Sequence, residues 1–154
     1  MEDTANAIEM RFLQTADARQ LASLISDYVQ FVRRGAAPEP DLFYTENLLA
    51  KGGPAFLGAF KAEALVGFCM FQAVPDLVDG LASGQINHIF VREDVRGTGI
   101  GEAMIDHVIE EAYRQNWNEL VLVVPRSNGW MRILAEKMAA PAETARFAIT
   151  LDMN

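Results

Sequence analysis

The segment Ile86-Asn87-His88-Ile89-Phe90-Val91-Arg92-Glu93-Asp94-Val95-Arg96-Gly97-Thr98-Gly99-Ile100-Gly101 decides how this chain folds. It begins with a short apolar, β-branched run, passes through a polar turn and ends in three glycines at alternate positions. A helical pattern follows at once, with Ile100, Met104, Ile105, Val108, Ile109 and Ala112 on one stripe. The order is strand, glycine loop, helix N-terminus. A helix start leaves backbone N–H groups unpaired and carries the positive end of the helix dipole, so it suits an anion. The glycines remove side chains that would hold the anion away.

The spacing selects among known anion loops. A dinucleotide fingerprint needs G-x-G-x-x-G, but here the third glycine comes one residue early and Glu102 stands in its place. A Walker loop needs a lysine after its last glycine, and none follows. The pattern that fits is [Gln/Arg]-x-x-Gly-x-[Gly/Ala], written here as Arg96-Gly97-Thr98-Gly99-Ile100-Gly101. With a strand ending at Val91 before it and a helix after it, this hexapeptide resembles the acetyl-coenzyme A loop of the GNAT superfamily of N-acetyltransferases.

Outward from that loop, the pattern gives a strand at Ile8–Leu13 and a helix from about Ala16 to Val32, with Thr15 as its cap. The apolar face of this helix is Leu21, Leu24, Ile25, Tyr28 and Val29. A short helix is expected at Asp41–Ala50, then a hairpin of strands Ala55–Phe60 and Leu65–Val74. Pro75 to Gly84 reads as a loop and Gln85–Val91 as the central strand. The loop helix extends to about Gln115. Glu119–Val124, rich in Leu and Val, reads as a strand buried on both faces, Trp130–Met138 as a short helix and Arg146–Asp152 as a last strand. The expected class is α+β. By resemblance it is a GNAT-type three-layer α/β/α sandwich, with a mixed, mostly antiparallel sheet and splayed central strands, in a single domain over residues 1–154.

Composition narrows the function. A net charge of −8 on 154 residues excludes a basic nucleic-acid surface and is compatible with a cationic substrate. No run reaches the roughly 18 apolar residues that a membrane helix needs. The acidic start Met1-Glu2-Asp3-Thr4 does not read as a secretory leader. The one cysteine, Cys69, lies in an apolar run and reads as a buried, inert thiol, so a cytoplasmic protein is expected. No His/Cys cluster has metal-ligand spacing, and no metal is expected. Arg92, Arg96, Arg126, Arg132 and Lys137 form a basic set in an acidic chain, suited to phosphates or to a solvated helix face.

The resemblance implies the site. Acetyl-coenzyme A would lie where the central strand and the next strand diverge. Main-chain groups of Ile89, Phe90 and Val91 would hold its pantetheine arm. N–H groups from Arg96, Gly97, Thr98, Gly99, Ile100 and Gly101 would hold its pyrophosphate, with Glu102 closing the turn and the side chains of Arg96 and Thr98 adding contacts. Asn128 matches the asparagine of the family's second cofactor motif, and either contacts the cofactor or caps the helix at Trp130. The reaction would be direct acetyl transfer to a primary amine. The family's proton donor, a tyrosine seven positions after that asparagine, is replaced by Ala135, and its Gly-Phe pair by Ala139-Ala140. Tyr113 and Tyr44 are substitutes without positional support. For the base, His88 has the right intrinsic pKa and Asn87 could position a water. A bulge would decide which of them meets substrate, and a structural histidine is the third option. Asp76, Asp79 and Glu39 either draw in a cationic amine or are solvated loop acids. The leading expectation is acetylation of a small cationic amine. A cofactor sensor without turnover and acetylation of protein N-termini or lysines are the alternatives. A homodimer is a further expectation, since the short C-terminus leaves a strand edge to cover.

Overall fold

The computed structural model describes residues 7–152. Its five-stranded sheet has the order β1 (Ile8–Phe12), β2 (Ala55–Lys61), β3 (Ala64–Asp76), β4 (Leu81–Val91), β5 (Trp117–Leu122). The first four strands are antiparallel neighbours, and β5 runs parallel to β4. Helices α1 (Ala18–Arg33) and α2 (Leu42–Leu49) cover one face, and α3 (Ile100–Arg114) and α4 (Gly129–Met138) cover the other.

Alternation along the strands builds two cores. Cys69, Ile86, Ile89 and Val91 point to the α3 side and pack on Met104, Ile105 and Val108 of α3 and Met131 and Leu134 of α4. Phe56, Phe60, Phe68 and Phe90 point the other way, onto Leu21, Leu24 and Tyr28 of α1. Each side chain of this size contributes about 1.5–3 kcal/mol when fully buried. Cys69 is fully buried, and that burial raises its thiol pKa, as expected of an inert cysteine.

Four expectations change. First, α1 starts at Ala18 behind a short 3₁₀ turn, Thr15–Asp17. Asp17, not Thr15, supplies the anchoring carboxylate: it accepts the Gln14 N–H at 2.8 Å and pairs with Arg11 at 2.8 Å. Second, Pro75 to Gly84 is mostly strand. The hairpin turns tightly at residues 77–80, where Asp76 accepts the N–H groups of Val78 and Asp79 and the Gly80 N–H reaches the Asp76 carbonyl at 2.9 Å. Third, β5 carries no fully buried residue. Among the described residues it is the edge strand of the sheet, with no ladder on its outer rim. Fourth, residues 139–152 form no strand, and Phe147, Ile149 and Leu151 are largely exposed. Their alternation suits a strand, but a strand needs a partner. Residues 139–144 line a cleft of about 1020 Å³ together with β5 and α4.

Candidate active site

The site forms where β4 and β5 part. Their pairing runs from Ala82 and Trp117 to Ile86 and Leu122, and the Val123 N–H donates to the Ile86 carbonyl at 2.9 Å. Beyond that bond β4 continues for five residues with only β3 beside it. The central strands therefore splay.

A bulge marks the same point. Met70 pairs with His88 and Phe71 with Ile86, so Asn87 is the extra residue in β4. Ile86 packs in the α3 core, whereas His88 stacks edge-on against Tyr28 of α1, with ring centroids 5.5 Å apart. Asn87 accepts a bond from Gln72, two residues along β3 from Met70, on that same α1 side. The bulge thus brings Asn87 and His88 to one face, which simple alternation would not do.

The bulge also sets the backbone. The Arg92 N–H bonds the Val66 carbonyl at 2.8 Å, and in an antiparallel ladder the bonded groups alternate. Ile89 and Val91 therefore aim their N–H and C=O at the gap, and Phe90 aims its own at Phe68. Of the three, two turn their main chain to the gap, with both groups of Ile89 and the N–H of Val91 unbonded there. The Val91 carbonyl already accepts Arg96 Nε at 2.7 Å.

The glycine loop stands at the mouth of the gap. Gly97 and Gly99 have φ of +79° and +83°, a left-handed conformation that side-chain-bearing residues resist. Among the described residues, no protein hydrogen bond uses an N–H from Gly97 to Glu102. The first backbone donor of α3 to find a partner is Ala103, to the Gly99 carbonyl at 3.0 Å. Six successive N–H groups are thus available to an anion. A Cβ at Gly101 would come within 2.9 Å of the Trp130 ring, so this glycine lets α4 close over the loop. Val91, Arg96, Gly97, Gly99, Ile100, Gly101 and Glu102 line one cleft of about 300 Å³ with Trp130, Leu134 and Lys137 of α4. A diphosphate fits this lining: bare N–H donors, no Cβ in the way and a lysine at the rim.

Several side chains are placed differently from the sequence expectation. Arg96 turns inward, with its guanidinium carbon 4.4 Å from the Phe31 ring centre, 5.3 Å from that of Phe90 and 5.5 Å from that of Trp130. Desolvation lowers its pKa, yet an arginine stays charged there. The Thr98 hydroxyl donates to the Val95 carbonyl at 2.7 Å and closes the turn. Glu102 pairs with Lys137 at 2.6 Å, and both line the same cleft as the loop. The basic set is split: Arg126 and Arg132 line the cleft outside β5, and Arg92 pairs with Asp94 on the α1 side. Asp76 and Asp79 both accept Asn118 Nδ2, at 2.6 and 3.0 Å, tying the hairpin to β5. Asp76 pairs with Leu81, seven residues or about 23 Å along β4 from His88, so these acids are remote from the gap.

Asn128 is fully buried. Its Oδ1 accepts the Met131 N–H at 3.0 Å and caps α4, while its Nδ2 has no partner. A buried orphan donor costs about 1–3 kcal/mol unless something satisfies it. Beside it, Tyr28 Oη lies 2.7 Å from His88 Nδ1. Burial raises the Tyr28 phenol pKa, with nearby Asn128 opposing in part, and burial lowers that of His88. At neutral pH the pair is a protonated phenol and a neutral imidazole. Sequence reading left Tyr28 in the apolar face of α1. Its one signal was a hydroxyl on an otherwise aliphatic stripe. Tyr44 and Tyr113 are exposed on α2 and at the far end of α3, about 20 Å along that helix from the loop. Among the described residues there is no His, Cys, Asp and Glu group fit for a metal, and no helix long and apolar enough to cross a membrane.

Comparison with known proteins gives the context. The family described as Acetyltransferase (GNAT) matches residues 19–139. A ribosomal-protein-alanine N-acetyltransferase from Brucella melitensis biovar Abortus 2308 is 38% identical, covers 95% of this chain and 100% of its own, and superposes with a TM-score of 0.87. An aminoglycoside acetyltransferase from an uncultured soil metagenomic sample, in complex with sisomicin, has a TM-score of 0.79 at 16% identity, over 94% of this chain and 97% of its own. A transcriptional regulator from Bacillus halodurans C-125 has a TM-score of 0.78 at 18% identity, over 94% and 100%. The latter two show the shared fold alone. No curated protein matches the chain.

Proposed function

We propose that this chain, which belongs to the GNAT acetyltransferase family, moves the acetyl group of acetyl-CoA directly to the α-amino group of a protein or peptide. The observation that carries the cofactor half is the row of six unpaired N–H groups beside the β4–β5 gap. The diphosphate sits on those donors, and the pantetheine arm follows the free main chain of Ile89 and Val91. Arg96 then releases the Val91 carbonyl or shares it.

The acceptor is argued from likeness. A relative 38% identical over nearly the whole chain is a ribosomal-protein-alanine N-acetyltransferase, and this favours a protein N-terminus. The acidic balance of the chain favours a small cationic amine, as expected first from sequence. That reading ranks second because Asp76 and Asp79 are engaged with Asn118. A sensor without turnover gives way to an enzyme, since both the family and this relative are acetyltransferases.

In the reaction the neutral amine attacks the thioester carbonyl, a C–N bond forms and the C–S bond breaks. Backbone N–H donors at the gap stabilise the oxyanion. His88, neutral through burial and beside the bulge on the α1 side, takes the proton that the nitrogen sheds. Its single buried thiol suits a reducing cytoplasm. The test is coenzyme A release with an alanine-starting peptide, polyamines and aminoglycosides in parallel. A rate with the peptide at least about tenfold above the others supports the reading. A preference for polyamines or aminoglycosides reverses the ranking.

A further inference from the structure

We infer that Tyr28 is the catalytic proton donor to the leaving thiolate, working in a relay with His88. The inference rests on the acetyl-transfer reading above and supplies the acid that Ala135 cannot. Three elements converge at the parting of β4 and β5: Tyr28 from the middle of α1, His88 beside the bulge of β4 and Asn128 from the cap of α4. Tyr28 Oη and His88 Nδ1 are 2.7 Å apart, and the rings meet edge-on. The side-chain amide of fully buried Asn128 lies close to the same hydroxyl, and its Nδ2 has no other partner.

The surroundings keep the pair in the correct protonation states. Phe68 and Phe90 pack against the Tyr28 ring at 5.6 and 5.4 Å, and Met70 stands opposite His88 in register. None of these carries a charge. Asn87 on β4 and Asn128 on α4 are neutral. The Arg96 guanidinium lies against Phe31, Phe90 and Trp130, and Asp27, next to Tyr28 in α1, is exposed. Desolvation therefore holds the phenol protonated and the imidazole neutral.

The protons balance. With His88 in its Nδ1–H form, that N–H donates to Tyr28 Oη, leaving Nε2 open and the phenol hydrogen free. As the C–N bond forms, the surplus proton on nitrogen moves to His88 Nε2. Nδ1 passes its proton to Tyr28 Oη, and the phenol passes its own to sulfur as the C–S bond breaks. One proton has travelled from nitrogen to sulfur and no charge remains on the pair. Exchange with solvent returns the imidazole to its starting tautomer.

The test uses Tyr28→Phe, which keeps the ring and its packing. Acetyl-CoA binding by calorimetry should be unchanged, with kcat down about 100-fold and KM for acetyl-CoA held within about twofold. The acid limb of kcat, set by His88 charging, should move to lower pH, because the imidazolium has lost its acceptor. Tyr113→Phe should match the wild type throughout. Wild-type kcat and an unmoved acid limb in Tyr28→Phe overturn the relay and leave acetyl transfer standing. A wild-type protein that does not bind acetyl-CoA, or binds it and acetylates no amine in the panel, overturns the functional reading and the relay with it.

Discussion

The two halves of β4 are equal in length and opposite in use. From Ala82 to Ile86 the strand is bonded on both sides, to β3 and β5. From Asn87 to Val91 it is bonded on one side only, and the other edge looks into the gap. The first half spends its backbone on stability. The second keeps part of it in reserve for a ligand, and the bulge at Asn87 is the boundary between them. A single extra residue redirects Asn87 and His88 to one face just as β5 turns away. The site is built by stopping a ladder, not by adding an element.

If this division is correct, changes on either side of Asn87 should have different consequences. The largest effect on stability belongs to the bonded half. A Cβ at Gly84 would lie 2.3 Å from the Trp117 ring and 3.0 Å from Leu120, so Gly84→Val should force β4 from β5 and cost about 3 kcal/mol in urea unfolding. A loss below about 0.5 kcal/mol would mean the ladder is not tight there. At the loop the effect should fall on binding. Gly99→Val places a β-branched residue at a φ of +83° and should weaken acetyl-CoA about 100-fold by calorimetry, or about 2.7 kcal/mol. Its urea midpoint should move far less than that of Gly84→Val. Next comes Asn128→Ala, which removes the α4 cap. It should cost about 1 kcal/mol, less whatever is regained by deleting the orphan Nδ2, and should lower turnover more than it lowers stability.

The pH dependence is smaller and has a definite sign. The folded-state pKa of His88 lies below its ordinary 6.5, so the unfolded chain binds the proton first. The stability linked to His88 is complete above pH 6.5 and is lost as the pH falls from there through the folded value. Replacing His88 with Gln should flatten that part of a stability–pH curve and remove the acid limb of kcat. A curve of unchanged slope would remove His88 from the linkage. The smallest effect is expected outside both halves. Phe147 is 91% exposed, so Phe147→Ser should change stability by less than about 0.5 kcal/mol. A larger loss would show residues 146–152 pairing with the β5 edge in solution.

What the sequence made legible was local. A β-branched run, three alternate glycines and a helical stripe lie within about thirty consecutive residues, and each is dictated by nearby chemistry. The loop, the strand before it and α3 were therefore readable, as were α1, α2, β2 and α4. Relations between distant residues were not. The bulge depends on how β3 meets β4, so the common face of Asn87 and His88 could be posed as a question but not answered. Tyr28 and His88 are sixty residues apart, and a tyrosine on a helix stripe looks like core until its partner is known. Arg96 matched the motif, but the aromatic rings that turn it inward come from α1, β4 and α4. The segment 146–152 had the alternation of a strand and lacked only a neighbour, which no local pattern reveals.

The central claim is that the open half of β4 and the bare start of α3 receive one ligand together. Amide shifts followed by NMR during titration with coenzyme A test it residue by residue. The largest changes should fall on the N–H groups of residues 97–102 and of Ile89 and Val91, while Ala82 to Ile86 stay nearly still. Binding that leaves the loop amides unmoved, with its largest changes along the outer edge of β5 or at the 77–80 turn, would contradict it.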